Sequence, residues 1–114
     1  MSYSISGNTL TFANKTNVDF EDPILKVLEV EGLLIIVLDT PNGKNDNRNV
    51  FAFSITGDYL WQIKNVELYY NGDWRPYTDV AINKENETVL FNWCDTAVVI
   101  KPQDGEVLRR YLTK

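Results

Sequence analysis

The chain has 114 residues, a formal net charge of −5, and a composition that is 44% hydrophobic and 24% charged. These values are typical of one soluble globular domain that is large enough to bury a core. Binding to the phosphate backbone of nucleic acids requires clusters of lysine and arginine. An acidic chain is therefore not expected to bind nucleic acid, and a basic protein partner would suit it better.

The chain contains no histidine and a single cysteine, Cys94. Without imidazole, the Ser-His-Asp and Cys-His nucleophilic mechanisms and the usual zinc sites are excluded. A lone cysteine cannot form a disulfide within the chain, and the first residues lack the features of a signal peptide. The longest apolar run, 33–38, is too short for a membrane span. We therefore predict a cytoplasmic protein with no metal, no cofactor and no membrane association.

The first predicted element is a β-hairpin, because residues 3–6 and 9–12 flank the turn-forming pair Gly7-Asn8. Residues 13–23 form a polar connector in which we expect at most one helical turn. The connector ends at Pro23, where a regular strand pattern begins.

Two similar units follow, and each is predicted to be a four-stranded antiparallel meander. The predicted strands are 24–30, 33–39, 50–55 and 59–64 in the first unit, and 78–82, 88–93, 97–100 and 106–112 in the second. The segment 33–39 is apolar at six consecutive positions, which indicates an interior strand of a sheet. A loop at 40–49, rich in Pro, Gly and Asn, and a connector at 65–76, predicted to contain a further strand, interrupt the pattern.

A strand–turn–strand pattern occurs twice, in Asn49–Ile63 and again in Ala97–Tyr111. Gly57 and Gly105 align at a spacing of 48 positions. At the same spacing, Val50-Phe51-Ala52 aligns with Val98-Val99-Ile100. Self-similarity at such a period indicates repeated supersecondary units, which we place at 24–64 and 77–112.

These patterns together predict an all-β fold in a single domain over residues 1–114. Two four-stranded antiparallel meanders and an N-terminal hairpin give about ten strands, which should pack as a β-sandwich or an open barrel. No segment shows helical periodicity with caps.

The loop 40–49 and the connector 65–76 are where the two units differ, and functional residues concentrate in loops carried by a rigid scaffold. The stretch 67–77 is rich in Tyr, Trp and Arg, which dominate protein interfaces. A structural role for these rings in capping the core, and a merely solvated loop, remain open alternatives. The predicted partner-binding residues are Asp39, Asp46, Arg48, Glu67, Tyr69, Asp73, Trp74, Arg75 and Asp79; no catalytic residue is predicted.

Two phrases, RNVFAFSITGDYLWQI at 48–63 and VLFNWCDTAVVIKPQDGEVL at 89–108, occur in this short acidic all-β chain. With this layout the chain resembles small bacterial immunity proteins of contact-dependent growth inhibition and related polymorphic toxin systems. The resemblance implies a cytoplasmic protein that binds a toxin, often a nuclease, and blocks its active site. It implies no particular binding residue.

The stretch 49–63 also resembles the strand–turn–strand of quinoprotein-type β-propeller blades. In the second copy, Arg109 stands where that family has Trp. Two units are too few to close a propeller, which needs about 4–8 blades, so neither the ring nor its cofactor is expected here.

The leading prediction is a non-catalytic immunity or inhibitor protein that binds one toxin domain as a monomer in a 1:1 complex. One alternative is a small enzyme or glycan-binding module that uses carboxylates; two close carboxyl groups in a deep pocket would indicate it. The other is an interaction module that binds through an edge strand, and dimerisation through that edge would be its signature.

Overall fold

The computed structural model describes residues 3–41, 48–64, 76–92 and 96–112. Within these ranges the chain forms eleven β-strands and no helix, which confirms the all-β prediction. Accordingly, the described ranges contain no helix long and apolar enough to cross a membrane. The strands are β1 (Tyr3–Ser6), β2 (Thr9–Phe12), β3 (Asn17–Asp19), β4 (Ile24–Val30), β5 (Leu33–Leu38), β6 (Val50–Ser54), β7 (Tyr59–Gln62), β8 (Tyr77–Ile82), β9 (Thr88–Asn92), β10 (Thr96–Ile100) and β11 (Val107–Leu112).

The strands form three antiparallel sheets that are stacked and not closed into a barrel. The first sheet has the order β1-β2-β3, the second β4-β5-β6-β7, and the third β11-β10-β9-β8. The second sheet is the middle layer, because one of its faces shares a buried apolar cluster with the first sheet and the other shares one with the third. The two predicted meanders are thus present, and they pack as layers.

Strand β5 is the centre of the molecule, as its uninterrupted apolar sequence predicted. All six of its side chains are buried, and they alternate between the two clusters. Leu33, Ile35 and Val37 face the third sheet. The intervening residues face the first sheet and share a buried cluster with Leu10, Phe12, Phe20 and Phe53.

The structure confirms the N-terminal hairpin of β1 and β2. Strand β3 extends it to a three-stranded sheet, so the connector 13–23 holds a strand in place of the helical turn for which it had room. Residues Asn17–Asp19 pair with Thr9–Thr11 of β2. This strand has only three residues, and Val18 is its one apolar side chain, which packs against the cluster shared with the second sheet. A three-residue strand cannot display the alternation by which strands are recognised in a sequence.

The two copies of the strand–turn–strand pattern align at their turn glycines as predicted. Their first strands, β6 and β10, are offset by one residue from the predicted alignment. The ladder makes Phe53–Tyr59 and Ile100–Val107 corresponding pairs. The second turn holds one residue more, so β6 matches β10 at a spacing of 47 positions, whereas Gly57 still matches Gly105 at 48. The predicted alignment of Val50 with Val98 was therefore wrong. Because side chains alternate along a strand, that alignment would match residues on opposite faces of the two sheets.

The first strands of the two meanders, β4 and β8, lie side by side where the second and third sheets meet. Each is interrupted by a register shift near its start, at Leu25 in β4 and at Thr78 in β8. Such bulges bend a strand and redirect its side chains. Lys26 and Asp79 are each the first residue after the register shift in their strands, so they occupy equivalent positions in the two meanders.

Candidate functional site

The two long connections of the chain leave and re-enter the strands at one end of the second and third sheets, which we term the loop end. Val37 at the end of β5 pairs with Val50 at the start of β6. Ile63, after β7, donates its backbone N–H to the carbonyl of Val50. The opposite end carries the short turns 31–32, 55–58, 83–87 and 101–106, and we term it the turn end.

Asn49 joins the second and third sheets at the loop end. Its side chain is buried, and Nδ2 donates to the carbonyls of Leu38 and Tyr77, both at 2.8 Å. Its Oδ1 accepts the backbone N–H of Tyr77 at 2.9 Å. Both amide hydrogens are used, so one side chain takes the place of backbone pairing between the two sheets.

Arg48 ties the same region to the end of β7. Its Nε donates to the carbonyl of Ile63 at 2.9 Å, while Gln62 Nε2 donates to the Arg48 carbonyl at 2.8 Å. The described residues that flank the two connections are therefore linked to one another by side-chain hydrogen bonds. The loop end is a fixed frame from which both connections extend.

The carboxylate of Asp79 is held in place on two sides. Its Oδ1 lies 2.6 Å from Lys26 Nζ and accepts the backbone N–H of Val80 at 2.8 Å. The two side chains are 42% and 47% exposed, so this pair contributes little to stability. The main effect of the pair is that the positive charge of Lys26 offsets the negative charge of Asp79.

Asp39 is the exposed acidic residue of this frame. It follows β5 directly, and its backbone N–H donates to the carbonyl of Pro23 at 2.7 Å, so its backbone is fixed while its side chain faces solvent. Of the predicted partner-binding residues, the structure places Asp39, Arg48 and Asp79 at the loop end. The others lie outside the described residues: Asp46, Glu67, Tyr69, Asp73, Trp74 and Arg75.

Tyr77 ends the aromatic stretch 67–77, and it has the core role that was left open for the rings of that stretch. Its side chain is 1% exposed and belongs to the core between the second and third sheets. Burial raises the pKa of its phenol. The Tyr77 hydroxyl, like that of Thr40, is buried without a hydrogen bond in the part of the chain that is described. The sequence could not decide between a core role and a partner-binding role for Tyr77, because the burial of its ring depends on a sheet formed by residues far away in the sequence.

The loop end brings a small set of polar side chains together. Its described polar groups are a satisfied amide, a guanidinium bonded to a carbonyl, a lysine–aspartate pair and a buried phenol. Across the described ranges, no three His, Cys, Asp or Glu side chains are grouped so as to hold a metal ion. The arrangement holds the described flanks of the two connections, with Asp39 among them, in a constant relative position.

The comparisons with known proteins identify a family. The chain belongs to the family described as Domain of unknown function (DUF7957), whose model matches residues 1–112. No curated protein and no solved structure matches the chain.

Proposed function

We propose that this member of the family is a non-catalytic, immunity-type inhibitor that binds a basic toxin domain, of the nuclease class, through its loop end. The observation that carries the proposal is the hydrogen-bonded frame of Asn49 and Arg48. That frame fixes the flanks of the two longest connections relative to one another. Loops that are held in this way bind with a smaller loss of conformational entropy than free loops do.

The charge of the chain supports a basic partner. The net charge is −5, and Asp39 offers an exposed carboxylate on the frame. A negative surface accelerates the encounter with a positively charged one, and this effect weakens as salt is added. A nuclease active site, which binds phosphates, would present such a positive surface.

The experiment uses the product of the reading frame next to the one that encodes this chain, tested as the candidate toxin domain. The purified toxin domain is mixed with the wild-type chain to measure binding, and the two are co-expressed to measure the viability of the cells. Binding together with rescue of viability supports the proposal. A wild-type chain that is folded but neither binds nor protects the cells would overturn it.

Asp39→Lys tests the predicted side of the molecule, and Glu85→Lys is the matched control. Both residues are exposed, both changes add two positive charges, and Glu85 lies in the turn 83–87 at the opposite end. We expect Asp39→Lys to lower the association rate about tenfold at low salt and much less at high salt, because steering is screened. Glu85→Lys should change the rate far less. Equal effects from the two variants would show that the loop end is not the contact surface.

A second candidate, strand addition, is favoured by the position of β11 at the edge of the third sheet as the described residues form it. β11 has six residues and forms that edge, and Leu108 and Leu112 are 55% and 45% exposed. A partner strand could pair with such an edge, although the register shift beside Leu108 makes the edge irregular. Amide chemical shifts measured with the same toxin domain separate the two modes. Changes confined to 107–112 would support strand addition, and changes at 38–40 and 77–79 would support the loop end.

A further inference from the structure

Within the described residues, the two meanders contain four register shifts, and all four lie in outer strands of the second and third sheets. The inner ladders, of β5 with β6 and of β9 with β10, are regular. Each shift leaves one residue of an outer strand without a partner across the ladder: Leu25, Leu60, Thr78 and Leu108. An extra residue of this kind interrupts the alternation of the strand. All four are exposed, so the shifts bring side chains to the surface.

Leu25 is the apolar residue of β4 that the core does not use. Ile24 and Val27 pack against the cluster shared with the first sheet. Leu28 and Val30 pack against the cluster shared with the third sheet. The side chain of Leu25 belongs to neither cluster and is 46% exposed. The register shift therefore leaves a large apolar side chain where another protein can contact it.

Leu25 lies close to Asp39, the exposed acidic residue of the loop end. The carbonyl of Pro23, two residues before Leu25, accepts the backbone N–H of Asp39 at 2.7 Å. On the other side of Leu25, the ion pair with Asp79 offsets the positive charge of Lys26, which would otherwise repel a basic partner. The surface around Leu25 therefore combines an apolar side chain with a net negative charge.

We propose that Leu25 is the apolar anchor of the loop-end interface, and that a basic partner covers it with an apolar surface of its own. This inference rests on the proposed function, because it assigns one residue a role in that contact. Asp39 attracts the partner during encounter, and the burial of Leu25 slows its release. Charges at the rim of an interface act mainly on the association rate, whereas the dissociation rate depends on the contacts that are buried.

Leu108 is a matched control at the turn end. It is also the unpaired residue of a register shift, and it is 55% exposed. The next residue, Arg109, donates from Nη1 to Glu87 Oε2 at 2.6 Å, as Lys26 donates to Asp79 at the same distance. The two leucines thus share an irregular backbone and a neighbouring ion pair, and they differ in the end of the molecule at which they lie.

The test measures the rates at which Leu25→Ser and Leu108→Ser bind and release the candidate toxin domain, by surface plasmon resonance at low and high sodium chloride. We expect Leu25→Ser to raise the dissociation rate about tenfold, because the complex loses a buried leucine side chain. The increase should persist at high salt, since salt screens charges and not apolar burial. Leu108→Ser should keep both wild-type rates. Circular dichroism and a cooperative urea transition establish that each protein is folded.

The wild-type complex supplies a second measurement that does not depend on the folding of a variant. Nuclear Overhauser effects between methyl groups and the candidate toxin domain report which leucines the partner touches. We expect them from the methyl groups of Leu25 and not from those of Leu108.

The outcomes separate this inference from the proposed function. A wild type that binds, with a folded Leu25→Ser that releases the partner at the wild-type rate, would overturn the inference and leave the proposed function intact. Contact of the partner with Leu108 in place of Leu25 would also overturn it. A folded wild-type chain that does not bind the candidate toxin domain would overturn both.

Discussion

The loop end and the turn end of the same sheets are fixed in different ways. At the turn end the backbone itself makes the connections, with positive φ at Gly32 (79°), Gly57 (98°) and Gly105 (76°) and backbone hydrogen bonds across the turns 55–58, 83–87 and 101–106. At the loop end the side chains of Asn49 and Arg48 join the strands. At one end of the sheets, short turns thus fix how neighbouring strands are connected. The long connections on the other side can change without altering those turns.

The largest effect should come from adding one methyl group at the turn end, in Gly105→Ala. A Cβ at Gly105 would lie 2.7 Å from the ring of buried Trp61, and the backbone has φ of +76°. Strain in the left-handed region and overpacking together should lower the free energy of unfolding by about 3 kcal/mol. Urea denaturation measures this change.

The control for Gly105→Ala is Gly32→Ala, where φ is +79° and nothing lies within 4 Å of the added Cβ. It isolates backbone strain and should cost about 1 kcal/mol. Equal losses in the two variants would mean that contact with Trp61 does not restrict this turn.

At the loop end, Asn49→Ala removes a buried side-chain amide and its hydrogen bonds. The carbonyls of Leu38 and Tyr77 and the N–H of Tyr77 lose this partner, so we expect a loss of about 2 kcal/mol in the free energy of unfolding. The matched change at the turn end is Asn14→Ala, whose exposed side chain donates to the carbonyl of Thr56 and which should cost under about 1 kcal/mol. Chemical denaturation of both variants decides the point. A larger loss in Asn14→Ala would contradict the assigned role of Asn49.

Tyr77→Phe should stabilise the protein, because it removes a buried hydroxyl that has no partner among the described residues. The expected gain is about 1 kcal/mol, measured by thermal or urea unfolding. Tyr59→Phe is the control at an exposed tyrosine, with 60% of its surface accessible, and it should have almost no effect. Destabilisation by Tyr77→Phe would show that the hydroxyl is hydrogen-bonded in solution.

The smallest effect concerns pH and the pair of Glu87 and Arg109 at the turn end. The pKa of Glu87 is about 2 in the folded chain and about 4.3 in an unfolded one. A lowered folded-state pKa stabilises the protein fully above the unfolded value, and this stabilisation is lost as the pH falls through the folded value. The wild type should therefore melt at a higher temperature than Glu87→Gln at neutral pH, and the difference should vanish as the pH approaches 2. A difference that is unchanged by acid would exclude the ion pair as its source.

The sequence predicted what depends on local chemistry. The apolar run of β5 and the glycines at positions 57 and 105 identified an interior strand and two turns, and the structure has them. Predictions from the sequence failed where the structure depends on how strands pair with one another. Asn17–Asp19 is a strand only because β2 lies beside it, and the one-residue shift between the repeats depends on the length of a turn.

The candidate site was less predictable than the fold. Loop length and composition pointed to the loop end, but they could not show that Lys26 lies against Asp79, 53 residues away in the sequence. Nor could they show that Asn49 would be the link to Tyr77, since an asparagine before a strand looks like any other loop residue. Such contacts depend on how two sheets meet, which no local pattern records.

The position of the second sheet as the middle layer has a consequence for synthesis of the chain on the ribosome. Residues 3–64 emerge first and can assemble the first two sheets, but Trp61 and the apolar row beside it have no cover until residues 77–112 follow. Half-made chains therefore expose an apolar sheet face, the kind of surface through which nascent proteins aggregate. The interval between translating the second and the third sheet is when this protein most needs a chaperone.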